Sequence, residues 1–115
     1  MESLDDIRNG RFEGSDADFV ISEHLAKKLI EANHSRDLKS DIMYLGEYGL
    51  GGRYVSLVKS IGLFGMFRKK VVDINNGIIF ISDSSLRQDV ERIVPELNEA
   101  SGMDYKIIYG LGKIN

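Results

Sequence analysis

The sequence contains no cysteine, a single proline and no apolar run of the length that a membrane span requires. Without cysteine, neither a disulfide nor a thiolate-bound metal can hold the fold together. The apolar stretches fall far short of the roughly 20 residues that a membrane-spanning helix needs. The first ten residues, MESLDDIRNG, carry acids where a secretory signal would carry cations followed by an apolar core. We therefore expect a cytoplasmic protein with no membrane segment.

The composition indicates one globular domain. The chain has 115 residues, of which 43% are hydrophobic and 29% charged, a balance typical of globular proteins and too apolar for a disordered one. Residues 1–17 hold few apolar side chains, so we expect a loosely ordered N-terminal arm there. Residues 18–115 are then expected to form a single α+β domain.

A first helix is predicted from residue 23 to residue 33. Leu25 and Leu29 recur at the spacing that lines one face of a helix, while charged residues occupy the opposite face. Ser22 precedes this stripe and has the hydroxyl group that an N-cap needs. The apolar run Phe19–Ile21 before it predicts a short strand.

A second helix is predicted to begin at Ser85. This serine forms a capping box with Gln88, three residues later, and Val90 belongs to the apolar stripe that follows. Pro95 has no amide hydrogen to donate, so we expect a kink or a stop there. Gly102 then ends the helical segment.

Five further segments, rich in β-branched and aromatic residues, predict strands. These segments are 42–48, 53–60, 66–74, 78–82 and 105–109. Asn75-Asn76-Gly77 links the third and fourth of them, and its residues tolerate the positive φ of a tight hairpin turn. The predicted order is β-α-β-β-β-β-α-β. Its short connections favour a mainly antiparallel sheet of about five to six strands, with both helices packed on one face.

The stretch EYGLGGRYVSLVKSIGLFGMFRKK, residues 47–70, is rich in glycine but does not match a phosphate-binding loop. A P-loop ending in Lys59-Ser60 would need glycines where Arg53 and Val58 stand. The dinucleotide-binding pattern fails as well, because Tyr54 replaces its third glycine and no helical stripe follows. We interpret these glycines as turn residues between strands and predict no cofactor.

Catalytic and metal chemistry finds little support in the sequence. His24 and His34 are ten residues apart and belong to no set with metal-ligand spacing, so no metal is predicted. The residues that could form a nucleophile–base arrangement are His34, Ser35, Asp37, Ser40 and Asp41. Polar residues that follow a helix in this way usually form a loop, and we predict no catalytic residue. An enzyme whose residues converge only in three dimensions is the second alternative.

The net charge of −3 is unevenly spread along the chain. Residues 42–82 hold five bases and two acids, net +3, between segments of net −4 and −2. Arg68, Lys69 and Lys70, with aromatic residues nearby, could contact phosphates and stack bases. A protein that draws its affinity from phosphate neutralisation normally carries a positive excess. A small nucleic-acid-binding regulator is therefore the first alternative.

A protein-binding role fits the sequence better. Tyrosines beside acids and an arginine are suited to anchor an interface. The candidate partner-binding residues are Tyr44, Glu47, Tyr48, Arg53 and Tyr54. We predict a module without catalytic activity that occludes another protein, as an inhibitor, an immunity factor or an adaptor.

The stretch FVISEHLAKKLIEAN, residues 19–33, resembles segments of bacterial toxin-immunity proteins. The resemblance rests on a short strand that leads into a serine-capped helix, and it includes no diagnostic motif. Immunity proteins are often small, acidic and poor in cysteine, and they occlude a toxin through complementary charge and shape. The resemblance therefore implies that the partner is a toxin or another enzyme.

Overall fold

The computed structural model describes residues 2–35, 42–49, 52–61 and 67–110. Within these ranges the chain forms three α-helices, one short 3₁₀ turn at Ser84–Leu86, and the strands of a single mixed sheet. The helices are α1 (Leu4–Arg8), α2 (Ser15–Ser35) and α3 (Arg87–Ser101). The strands are β1 (Ile42–Gly49), β2 (Gly52–Ile61), β3 (Phe67–Asn75), β4 (Ile78–Ile81) and β5 (Lys106–Tyr109).

The sheet has the order β1-β2-β3-β4-β5. Each strand pairs antiparallel with the next as far as β4, and β5 pairs parallel with β4. A parallel pair needs a crossover connection, which α3 supplies. The predicted α+β class and single domain are thus confirmed. The predicted total of five to six strands stays a prediction, because residues 36–41, 62–66 and 111–115 lie outside the described ranges.

The central hairpin agrees with the sequence pattern. Asn75 pairs with Ile78, so Asn76 and Gly77 form the two-residue turn between β3 and β4. Both turn residues have positive φ, 52° for Asn76 and 79° for Gly77. These angles are those of the turn type whose twist matches an antiparallel hairpin. The turn prediction is confirmed, and β3, β4 and β5 lie within one residue of the strands predicted there.

The predicted strand Phe19–Ile21 is wrong, because these residues belong to α2. The helix begins at Ser15, eight residues before the predicted start at residue 23. Ile21 is fully buried together with Leu25 and Leu29, and all three follow a four-residue spacing. Ser22 is therefore inside the helix and not its cap, and its hydroxyl donates to the Phe19 carbonyl oxygen at 2.7 Å. A short apolar run fits either a strand or a helix. The four-residue spacing that continues beyond this run is what distinguishes the helix.

The start of α3 also differs from the prediction. The helix begins at Arg87, after a 3₁₀ turn that Asp83 rather than Ser85 caps: Asp83 Oδ1 accepts from the Ser85 amide at 3.0 Å and from the Ser85 hydroxyl at 2.7 Å. The helix continues through Pro95, so no stop occurs there. Gly102 ends the helix with a φ of 73°, as predicted.

The core lies between one face of the sheet and the helices. Its largest fully buried side chains include Ile21, Leu25, Leu29, Leu57, Ile79, Ile81, Val90, Ile93 and Leu97. Leu29 and Val90 were expected on the buried stripes of their helices, and both are inaccessible to solvent. The helices and the inward sheet residues thus share one apolar cluster.

A β-bulge in β3 increases the apolar area that this strand buries. Leu57 pairs with Val72 and Val58 pairs with Lys70, so Val71 has no residue opposite it on β2. A bulge bends its strand and changes the direction of a side chain. Val71 and Val72 are consecutive, yet both are buried in the same core cluster.

Helix α1 is fixed to the end of α3. The Arg8 guanidinium donates to the carbonyl oxygens of Glu99 and Ala100. Such carbonyls have no partner within their own helix, and the helix dipole favours a cation beside them. Ile7 adds a buried side chain to the common core. The loose order predicted for residues 1–17 concerns motion and stays a prediction.

Replacing Gly77 tests the hairpin turn. A Cβ atom at this position would meet nothing within 4 Å, so only the backbone conformation opposes a side chain. We expect Gly77→Val to lower the free energy of unfolding by about 1–3 kcal/mol. Gly77→Asn is the matched control and should cost clearly less, because asparagine tolerates positive φ. Equal losses in the two variants, measured by chemical denaturation, would contradict the turn.

Candidate protein-binding face

The face of the sheet that points away from the core is well described in β3, β4 and β5. Strand pairing sets out its residues in two rows across these strands. The rows are Asp73–Phe80–Ile108 and Asn75–Ile78–Lys106, and these six residues are called the outer sheet face below. Within the described ranges, no helix covers this face, since the core shared with the helices lies on the other side.

The outer sheet face has an apolar centre. Ile78 and Phe80 are partly exposed on β4, and Ile108 beside Phe80 is 37% exposed. In β4 the residues between them, Ile79 and Ile81, are buried against the helices. Strand β4 is therefore apolar on both sides, a pattern typical of strands that are covered on both faces. Among the described residues, the helices cover one face of β4 and nothing covers the other.

Charged residues surround this apolar centre, and their charges are balanced. The Lys70 ammonium lies 3.7 Å from the Asp73 carboxylate, and the Lys106 ammonium lies 3.0 Å from the Asp104 carboxylate. Exposed pairs of this kind contribute little to stability. They do give the described part of this face polar neighbours of both signs. An apolar centre with a polar rim is the usual arrangement of a protein–protein interface.

The five candidate partner-binding residues of the sequence analysis lie on β1 and β2. The strand register places Glu47 opposite Tyr54 and Tyr48 opposite Arg53. Tyr44 stands opposite Leu57, further along the same strand pair. Four of the five are thus backbone neighbours near one end of the β1–β2 pair. Their role in binding stays a prediction.

The three basic residues of the alternative hypothesis lie on β3. The register places Arg68 opposite Ser60, Lys69 opposite Lys59 and Lys70 opposite Val58. Tyr54 and Lys59 are five residues apart on β2, which corresponds to about 17 Å of strand. The tyrosine-rich and lysine-rich ends of the sheet can therefore be altered separately.

Three side chains contact one another at one corner of the molecule and are called the corner cluster below: Arg87, Glu91 and Tyr109. Arg87 lies over the ring of Tyr109, with its guanidinium carbon 4.8 Å from the ring centre. Glu91 Oε1 accepts from Arg87 Nε at 3.1 Å and from the Tyr109 hydroxyl at 3.2 Å. Partial burial and the Glu91 carboxylate raise the pKa of Tyr109, and Arg87 opposes that rise. The tyrosine therefore stays a neutral hydrogen-bond donor.

A second polar junction joins three segments inside the fold. Asp18, on α2, accepts from the Tyr105 hydroxyl at 2.6 Å and from the Asn76 amide at 3.0 Å. Asn98 holds Tyr105 from the other side, accepting from its amide at 2.9 Å. Burial, together with the Asp18 carboxylate, raises the pKa of Tyr105 well above its ordinary value. We interpret this junction as structural, because Tyr105 is buried and its proton is held.

Metal and histidine chemistry gain no support from the described residues. No group of three or more potential metal-ligating side chains occurs among them. His24 forms a hydrogen bond of 2.8 Å between its Nε2 and the Glu2 carbonyl oxygen, so it fixes the N-terminal segment to α2.

Among the described residues, none of the helices has the length and hydrophobicity needed to cross a bilayer. Residues 36–41, which include most of the nucleophile–base candidates, lie outside the described ranges.

Searches against models of protein families, curated proteins and solved structures found no match for this chain. Function is therefore inferred from the geometry of the chain itself.

Neither the outer sheet face nor the corner cluster was predicted from the sequence. One available signal was the run of four apolar residues, Ile78–Ile81, which does not alternate as a half-exposed strand should. A second was the four-residue spacing of Arg87 and Glu91 on a helix. The position of Tyr109 beneath Arg87 depends on the parallel pairing of β5, which no local pattern indicates.

The Asp18–Tyr105 hydrogen bond predicts a dependence of stability on alkaline pH. The pKa of Tyr105 is raised in the folded state, so its contribution is complete below the unfolded value near 10 and is lost as the pH rises above it. Between pH 9 and 11 we expect the wild type to lose about 1 kcal/mol more unfolding free energy than Tyr105→Phe.

Comparing the wild type with Tyr105→Phe at each pH cancels the contributions that the other tyrosines and the lysines make to the pH dependence of stability. At pH 7, Tyr105→Phe should be less stable than the wild type by about 1–2 kcal/mol, because a buried hydrogen bond is lost. Parallel stability–pH curves for the two proteins, measured by urea denaturation, would show that the Tyr105 proton is not held by the fold.

Proposed function

We propose that this chain is a protein-binding module that acts by occluding a partner, as an inhibitor, an immunity factor or an adaptor. The outer sheet face makes the contact. The supporting observation is that β4 is apolar on both sides, while the described helices cover one side only. A partner protein would provide the second cover.

The chemistry of the face favours a protein over other ligands. Ile78, Phe80 and Ile108 offer an apolar surface, and the depression beside Phe80 has a volume of about 140 Å³, below the roughly 300 Å³ at which small-molecule sites begin. The cations on its rim, Lys70 and Lys106, are each paired with a carboxylate. A protein surface can pack on the apolar centre and leave these pairs in place.

The resemblance to immunity proteins does not contribute to this proposal. It rested on a strand that leads into a serine-capped helix, and the structure has one continuous helix there. The candidate residues on β1 and β2 remain part of the proposal because they belong to the same sheet. An inhibitory role is therefore proposed on the surface properties alone.

Ile108→Asp tests the outer sheet face, and Met103→Asp is its matched control. The two side chains are 37% and 36% exposed, but Met103 precedes β5 and is not on the outer sheet face. The wild type and both variants are immobilised, and the proteins that each retains from lysate of the source cells are quantified. We expect at least one protein to be retained by the wild type and Met103→Asp and to be reduced about tenfold or more on Ile108→Asp, the size of a hot-spot effect.

Thermal unfolding of the three baits checks that each is folded. The same proteins retained at the same level by all three baits would contradict the outer sheet face as the interface.

Once a partner is identified, alanine at Tyr54 tests the predicted anchors on β1 and β2. An anchor should cost about 2 kcal/mol or more in complex stability while leaving the fold intact.

The nucleic-acid alternative is favoured by one observation, the cross-strand position of Lys59 opposite Lys69. Like charges in this position are unfavourable unless solvent or an anion separates them. Against it stands the net charge of −3. We predict no gel shift with mixed RNA or duplex DNA at roughly physiological salt, where charges are screened beyond about 8 Å. A shift that weakens steeply with salt and disappears on reversing Arg68, Lys69 and Lys70 would replace the main proposal.

A further inference from the structure

A groove lies beside the corner cluster, at the point where the parallel strands β4 and β5 end. Six residues line it: Ile81, Ser82, Ser84, Arg87, Tyr109 and Gly110. Its volume is about 200 Å³, below the roughly 300 Å³ at which small-molecule sites begin. The groove has room for one functional group rather than for a whole cofactor.

Arg87 is the charged residue among those that line the groove, and it is held in one position. Its guanidinium stacks on the Tyr109 ring, and its Nε donates to Glu91 Oε1. The Tyr109 hydroxyl donates to the same carboxylate oxygen, so the three side chains fix one another. An arginine that is already positioned loses little conformational entropy when it binds a ligand.

The outer edge of this guanidinium remains available. Within the described part of the chain, Nη1 and Nη2 of Arg87 have no hydrogen-bond partner, and the side chain is 64% exposed. Ser84 lines the same groove and is exposed. One guanidinium edge and one hydroxyl match the two oxygens and single charge of a carboxylate.

The groove shares two lining residues with a depression that includes part of the outer sheet face. This depression is lined by Asp73 and Phe80 of the outer sheet face, by the core residues Val71, Val72 and Ile81, and by Lys70 and Ser82. Ile81 and Ser82 line the corner groove as well, so the two surfaces meet at the end of β4. The end of β4 therefore contributes to both the depression beside Phe80 and the groove beside Arg87.

We propose that the corner groove binds an acidic side chain of the partner protein, with its carboxylate held in a bidentate contact by Arg87. This inference rests on the proposed function, since the partner is the protein that covers the outer sheet face. The groove would add a charge preference to an otherwise apolar contact. The partner would then carry an aspartate or glutamate next to an apolar residue in an exposed segment.

The test is a titration of the isotope-labelled, purified protein followed by NMR. The probes are the capped peptide acetyl-Ala-Glu-Ala-amide, its neutral isostere acetyl-Ala-Gln-Ala-amide, and inorganic phosphate. We expect the glutamate peptide to shift the Arg87 Nε–H signal and the Ser84 and Gly110 amides, with a Kd in the millimolar range. The glutamine peptide should bind about tenfold more weakly, the loss expected for one charge-assisted contact.

Three variants define the site. Arg87→Gln should abolish these shifts, and Arg87→Lys should weaken binding severalfold, because lysine retains the charge but not the planar fork. Arg11→Gln is the control, since Arg11 is similarly exposed and lies outside the groove; its titration should match the wild type.

Three results would overturn the inference: no shifts at tens of millimolar glutamate peptide, equal binding of the two peptides, or unchanged binding in Arg87→Gln. Phosphate that binds at Arg87 more tightly than the glutamate peptide would also overturn it, in favour of a phosphate group. The titration needs no partner. If Ile108→Asp loses the captured protein while the wild type does not bind the glutamate peptide, the carboxylate site is rejected and the proposed function stands.

Discussion

Burial of one side of the sheet against α2 and α3 is the interaction on which the rest of this structure depends. Ile79 and Ile81 on β4 pack into the same core as Leu25 and Val90 from the two helices. Each such side chain contributes about 1.5–3 kcal/mol when it is removed from water. Among the described residues, the helices lie on one side of the sheet and leave the other side open, and the candidate binding surface follows from that architecture.

Polar contacts at the ends of the helices complete this arrangement. Arg8 bonds the last carbonyls of α3, and Asp18 bonds the hairpin turn at Asn76 together with the Tyr105 hydroxyl. Buried or terminal polar groups are costly when they lack partners, so these contacts fix where the loops lie. The parallel pairing of β5 with β4 then places Tyr109, at the end of β5, under Arg87.

Local patterns predicted those parts of the fold that depend on local chemistry. Asn76-Gly77 forms a hairpin turn because few other residues accept positive φ, and Gly102 ends α3 for the same reason. Phe19–Ile21 was wrongly predicted as a strand, because a three-residue apolar run has no period of its own. The corner cluster and the outer sheet face depend on the pairing of β5 with β4, which joins residues about 30 positions apart. No single-sequence pattern indicates such a pairing.

The central claim is that the apolar centre of the outer sheet face is open to solvent in the free protein. Solvent paramagnetic relaxation of the isoleucine δ1 methyl groups, measured by NMR with an inert soluble gadolinium complex, tests this most directly. We expect strong relaxation for Ile78 and Ile108 and almost none for Ile79 and Ile81, which lie on β4 with their side chains in the core. Equal protection of all four methyl groups would show that the chain covers this face itself, and the proposed interface would have to be abandoned.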